Sequence, residues 1–230
     1  MLPGAFFLLA AFLNLYGRLA DPVLASTVKP ALMPLLALTA LSAAGGLVSR
    51  EIRLLVAALL FGCAGDALLI FDGFLPFVGG MAAFLTGHVF YMILFGGKSW
   101  KGLTLKTWIL SCIAMAAFTG ALIVLIGVKG EMLVPMCVYG FALMLLIFST
   151  LSGAVRFRSG AWWVALLGAV LFTFSDSLIA IGTFGGDFAG REFLVMLTYI
   201  TAQSLLACAA NAIGGASVIS SCPKRGPIMT

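Results

Sequence analysis

Eight apolar runs of roughly twenty residues follow one another along this chain, and the connectors between them are short. No other feature restricts its fold as much. The runs lie near residues 2–20, 23–48, 51–71, 75–97, 103–126, 131–151, 161–184 and 190–214. Crossing the hydrocarbon core of a bilayer takes about 20 apolar residues as a helix, and that core offers no water to backbone N–H and C=O groups. Each run is therefore predicted to be a membrane-crossing helix, since unbroken apolarity is not the alternation of a membrane barrel. Of the 230 residues, 63% are hydrophobic and 9% charged, whereas in soluble domains about a quarter are charged. The prediction is an all-α polytopic membrane protein, a single integral domain over residues 1–230 with eight transmembrane helices.

A net charge of +5 would hint at nucleic acid in a soluble protein, but here the basic residues cluster between apolar runs and report topology. Nine of them (Arg50, Arg53, Lys98, Lys101, Lys106, Arg156, Arg158, Lys224 and Arg225) follow the even-numbered spans. Three (Arg18, Lys129 and Arg191) follow the odd ones. By the positive-inside rule both termini are cytoplasmic, and a bacterial-type inner membrane is the expected location. The N-terminus lacks a basic region before its apolar run, so it reads as an uncleaved first span. Cys63, Cys112, Cys137, Cys208 and Cys222 are scattered without CxxC spacing, which indicates neither a disulfide framework nor a cysteine metal site.

Two aspartates, Asp66 in span 3 and Asp176 in span 7, have no Lys or Arg within a helical turn. A carboxylate in hydrocarbon costs at least about 2.5 kcal/mol, so an intramembrane ionisable residue is read first as functional, with partners on other helices. Both spans run outward, and each Asp lies about fifteen residues in, which places the two at one depth in the outer half. Span 4 carries His88, the only histidine, with Tyr91 one turn on; span 6 adds Tyr139; span 8 adds Tyr199 and Gln203 on one face. Lys29 in span 2 is followed by Pro30 and either snorkels to the interface or faces the bundle and meets an anion. Asn14, Asn211 and the scattered Ser and Thr are expected to satisfy themselves on backbone carbonyls, and Gly62, Gly65, Gly79, Gly80, Gly87 and Gly168 to let helices approach closely. The similar strings Gly65-Asp66-Ala67-Leu68 and Ser175-Asp176-Ser177-Leu178 hint at a 4+4 duplication of the kind found in transporters.

The chain resembles the YhhN/TMEM86 family of lysoplasmalogenase-like membrane proteins. The resemblance rests, in order, on Lys29-Pro30; Gly65-Asp66 with Leu68; Gly80, Phe84, His88 and Tyr91; Tyr139; Gly168-Ala169, Phe172, Ser175-Asp176 and Ala180; and Tyr199 with Ala202-Gln203. It implies hydrolysis of the sn-1 vinyl ether bond of a lysoplasmalogen. The products would be a fatty aldehyde and glycerophosphoethanolamine or glycerophosphocholine.

Such a reaction begins with protonation of the alkene carbon remote from the ether oxygen and continues with capture of the oxocarbenium ion by water. It calls for an acid and a base, as in glycosidases, where one carboxyl donates a proton and an ionised one stabilises the cation or activates water. Asp66 and Asp176 are the expected pair, and their sequence surroundings do not say which is which. His88 is expected to orient a carboxylate or relay a proton, and Tyr139, Tyr199 and Gln203 to hold water or a glycerol hydroxyl. Tyr91 and Ser175 support the site, and Lys29 is a candidate partner for the substrate phosphate. No cofactor and no metal are expected. Three alternatives remain: a metal-dependent intramembrane hydrolase using His88 and the aspartates, a proton-coupled or lipid transporter using the same acids, and a structural membrane protein, in which Asp66→Asn and Asp176→Asn would leave folding and any activity intact.

Overall fold

The structure, a computed structural model, describes residues 2–45, 48–71 and 73–221, with side chains to residue 215. Cys222, Lys224 and Arg225 lie outside the described residues. Among the described residues there are eight α-helices: α1 (Leu2–Ala20), α2 (Pro22–Ala43), α3 (Arg50–Leu68), α4 (Phe74–Ser99), α5 (Leu105–Ile126), α6 (Leu133–Phe157), α7 (Gly160–Ala180) and α8 (Arg191–Ser221). A 3₁₀ turn at Gly130–Met132 leads into α6, and a π turn at Ile181–Gly185 closes α7. Seven helical stretches are long and apolar enough to cross a membrane. The eighth helix, α3, has the 19-residue length of α1 but carries Arg50, Glu51, Arg53 and Asp66.

Local chemistry sets the helix starts. Asp21 caps α2 by accepting from the backbone N–H groups of Val23 and Leu24, with Pro22 at the first helical position. Ser49 caps α3 and Thr104 caps α5 in the same way. The ends depart more from the sequence reading. Span 2 was expected to reach residue 48, but α2 stops at Ala43, because Gly45 turns to a φ of +60°. Span 6 was expected to end at 151, yet α6 continues to Phe157 and stops at Arg158, itself left-handed at a φ of +48°. That extra turn packs because Gly153 has no Cβ: one built there would fall 1.9 Å from Trp162 Cε3.

The helices pack in sequence as antiparallel neighbours, α1 on α2, α2 on α3, α3 on α4, α6 on α7 and α7 on α8, while α4 also packs on α6. The long α8 closes the bundle by touching α1, α2 and α3 as well. Helix α5 sits outside this ring, mainly against α6. Its outer face is bare, with Val124 and Leu125 81% and 82% exposed. Large apolar side chains such as Leu8, Phe12 and Leu19 are likewise exposed. An apolar exterior around a packed interior fits a lipid solvent.

Pro30 and Pro34 both lie inside α2. Pro34 has no N–H for the Pro30 carbonyl four residues back, so that oxygen loses its helical donor. Cys63 Sγ on α3 supplies one at 3.2 Å, the repair by a neighbouring helix that makes proline tolerable in a membrane bundle.

Candidate active site

The antiparallel order carries the polar residues to one end of the bundle. Asp66 is in the last turn of α3, His88 is in the middle of α4, Tyr139 is in the second turn of α6 and Asp176 is near the end of α7. Close helix approach makes this possible. A Cβ on Gly65 would fall 2.7 Å from the Phe84 ring, and one on Gly168 would fall 3.1 Å from the Ala202 carbonyl, so the α3 backbone lies against a ring of α4 and the α7 backbone against the backbone of α8.

Asp66 has two polar partners. Lys29 Nζ lies 3.2 Å from Oδ1, and the Tyr199 hydroxyl donates to Oδ2 at 2.8 Å. Of the two readings of Lys29, the structure therefore takes the anion inside the bundle: its side chain is 13% exposed and that of Asp66 2%. The ammonium rests on Asp66 and does not stand free at a surface. Asp176 differs. Tyr139 donates its hydroxyl to Asp176 Oδ2, and among the described residues no Lys or Arg makes an ion pair with it. Asp66 and Lys29 both lie within electrostatic reach of Asp176.

Asp176 and Tyr139 line a cavity between α4, α5, α6 and α7. Its wall is mostly apolar, with Leu69, Phe77, Met81, Phe84, Leu122, Ile123, Met136, Leu143 and Met144 among the lining residues. Asp66 is not in that wall. A second hollow adjoins the cavity at the bundle end, sharing Leu69 and Phe77 and bounded by Phe71, Phe74, Met132 and Phe184. An apolar chamber with a few polar groups is the usual form of a small-ligand site.

The remaining expected residues divide. Tyr91 donates to Gln203 Oε1 at 2.5 Å, an α4–α8 link, while Gln203 and Tyr199 both lie beside Gly62. Ser175 donates to the Val195 carbonyl at 3.0 Å and so ties α7 to α8. His88 is brought among the group, but its ring stands edge-on to Tyr139 at 5.5 Å and to Phe172 at 4.7 Å. It reaches neither carboxylate. One ring nitrogen leans toward the Phe84 carbonyl without closing a hydrogen bond. Among the described residues, no three His, Cys, Asp or Glu side chains converge to hold a metal ion.

The sequence reading missed the α5 wall. Thr119 was grouped with the threonines that satisfy themselves on backbone carbonyls, yet its buried Oγ1 has no partner among the described residues. Only the composition of span 5 could have flagged it, as a lone polar residue in the middle of an otherwise apolar stretch.

Residues 24–210 match the YhhN family model. The chain belongs to the YhhN family. Curated relatives of this YhhN-family protein include human lysoplasmalogenase TMEM86B, 34% identical over 158 residues, or 69% of this chain and 63% of that protein. The rat lysoplasmalogenase TMEM86B is 34% identical over 157 residues, 68% and 61%. The lysoplasmalogenase of Mycobacterium tuberculosis (strain CDC 1551 / Oshkosh) is 30% identical over 167 residues, 69% and 60%. These matches thus span less than two thirds of the relatives' own length. No solved structure matches the chain.

Proposed function

We propose that this YhhN-family protein is a lysoplasmalogenase that cleaves the sn-1 vinyl ether of a single-chain phospholipid, with Asp176 as the proton donor. One observation supports this reading above the others: a carboxyl without an ion-pair partner, bonded by Tyr139, in the wall of a mostly apolar cavity inside a membrane bundle. The names of the relatives support the same substrate class.

The division of roles follows from the partners. A proton donor must hold a proton, and a carboxylate paired with Lys29 does not, so Asp66 is the ionised member. Asp176 gives its proton to the alkene carbon remote from the ether oxygen, and the π electrons form the new C–H bond. Positive charge then spreads over the adjacent carbon and the ether oxygen, and the fixed charge of Asp66, braced by Lys29 and Tyr199, bears on it. Water attacks that carbon while the Asp176 carboxylate takes the proton released, giving a hemiacetal. Breaking its carbon–oxygen bond to glycerol moves a proton from the hemiacetal hydroxyl to the glycerol oxygen and leaves the aldehyde. The alkenyl tail lies in the apolar cavity, with the head group toward the hollow at Leu69 and Phe77. The excess of basic residues after even-numbered spans supports eight crossings of the cytoplasmic membrane with both termini inside.

The test is aldehyde release by purified protein in detergent, from a lysoplasmalogen and from its saturated alkyl-ether analogue. Wild type should act on the first alone, and Asp176→Asn should lose a factor of about 10² to 10⁴ while unfolding at an unchanged temperature. Activity that survives Asp176→Asn would remove the assignment. Release should persist in a chelator, and its loss there would favour the metal-dependent hydrolase.

A further inference from the structure

Membrane-embedded threonines have a standard way to satisfy their hydroxyl, by donating to the carbonyl four residues back. Thr27, Thr39, Thr86, Thr150, Thr173, Thr183, Thr198 and Thr201 all do so, at 2.7 to 3.1 Å. Thr119 lies mid-helix in α5 and does not. It is 5% exposed, its Oγ1 has no hydrogen-bond partner among the described residues, and it lines the cavity that holds Asp176 and Tyr139. Its methyl group explains the rotamer: Cγ2 packs against Gly140 on α6, where a Cβ would fall at 2.8 Å. The side chain has given up the backbone carbonyl for a position between α5 and the cavity.

An orphaned buried hydroxyl is a costly thing to keep. Oγ1 is shielded from bulk solvent, so only a molecule inside the cavity can satisfy it. A water held in a protein interior needs two or more polar partners, and the cavity wall is sparing with them. Thr173 and Ser177 already donate to Ala169 and Thr173 carbonyls. That leaves Thr119, Asp176 and Tyr139 as the polar groups available to a guest.

We infer that Thr119 is a positioning residue that holds the water attacking the oxocarbenium carbon. The inference rests on the proposed vinyl ether hydrolysis. The hydroxyl fixes the water oxygen, that oxygen bonds to the cationic carbon, and the proton it loses passes to the Asp176 carboxylate. The threonine itself gains and loses nothing. Its contribution is orientation, and loss of orientation of a bound reactant slows a step by about tenfold to a hundredfold.

The experiment reads how the cation partitions. Purified protein is given a lysoplasmalogen in buffer containing methanol, and mass spectrometry measures two products: the fatty aldehyde from water capture and the mixed methyl acetal from methanol capture. Wild type, Thr119→Val and Thr119→Ser are compared. Valine keeps the volume and drops the hydroxyl; serine keeps the hydroxyl. In Thr119→Val the acetal-to-aldehyde ratio should rise roughly fivefold, the effect of one lost hydrogen bond on the competition, and aldehyde release should fall about tenfold. In Thr119→Ser both should stay near wild type. A ratio unchanged in Thr119→Val overturns the inference, whatever happens to the rate, because damage to packing slows both captures alike. A serine variant that behaves like valine overturns it too. If Thr119→Val fails to accumulate as folded protein, Thr119→Ala takes its place and is read by the same ratio. Absence of aldehyde from wild type would instead refute the hydrolase reading on which the inference stands.

Discussion

Replacing Lys29 with methionine removes the only ion-pair partner of Asp66 found among the described residues and leaves its carboxylate, 2% exposed, without a counter-charge. Breaking a buried pair from one side costs about 3 to 5 kcal/mol, because the remaining charge stays desolvated. The lower figure applies here, since Tyr199 still donates to Oδ2 at 2.8 Å. About 3 kcal/mol is roughly a hundredfold change in the ratio of folded to unfolded protein, and at roughly 2 to 4 °C per kcal/mol for a chain of this size it lowers the unfolding temperature by about 6 to 12 °C. Asp66→Asn should cost less, about 1 kcal/mol, because the Lys29 side chain is 13% exposed and its flexible stem can carry the ammonium toward water. The double variant Lys29→Met with Asp66→Asn buries no charge and should recover most of the loss. Thermal unfolding of the four proteins in one detergent, followed by intrinsic tryptophan fluorescence, gives the coupling directly, with about 3 kcal/mol expected. Additive effects within about 0.5 kcal/mol, or a lysine variant no less stable than the asparagine variant, would refute the argument that this pair is held as ions.

Further outcomes follow from single contacts. Ser175→Ala should cost about 1 kcal/mol through its lost bond to the Val195 carbonyl and leave aldehyde release intact, which would separate Ser175 from its neighbour Asp176. Gly65→Ala places a methyl group 2.7 Å from Phe84, whose ring is already wedged against Phe172 and Tyr199. About 1 to 3 kcal/mol of overpacking strain is expected in the same unfolding assay. At the start of α8, Arg191 hydrogen-bonds Asp187 in the preceding loop and holds its carboxyl below the ordinary value of 3.8. A depressed folded value stabilises only above the unfolded one, so this contact should matter equally at every pH above about 5 and fade as the pH falls through and below 4. Comparing Asp187→Asn with wild type across that range checks the sign.

How much of this was legible beforehand differs from residue to residue. Asp66 and Asp176 stand out in any reading because a charge in an apolar run is conspicuous by itself. Lys29 was equally visible, but whether it snorkelled or turned inward depended on what α3 placed opposite it. Tyr91 and His88, three residues apart on α4, were read as one face acting together, and the structure sends them to different neighbours, Tyr91 to Gln203 on α8 and His88 between Tyr139 and Phe172. A helix surface is curved, and a shift of one position is enough to change which helix a side chain meets. Thr119 showed only as one polar side chain in an apolar run, because its significance lies in a bond it does not make.

The sequence by itself determined that the chain is helical and lives in a membrane, where most of its helices start, and how far along their helices its two aspartates sit. These follow from local quantities: hydrophobic length, capping side chains and a rise of about 1.5 Å per residue. Only the tertiary structure decided that the two aspartates are unlike, one closed into an ion pair with Lys29 and the other set in the wall of a cavity. Depth is counted along a helix, but partnership depends on how helices are rotated and which of them touch. That is set by packing among side chains far apart in the chain, by glycines that admit a ring and by the outlying position of α5, none of which a linear pattern records.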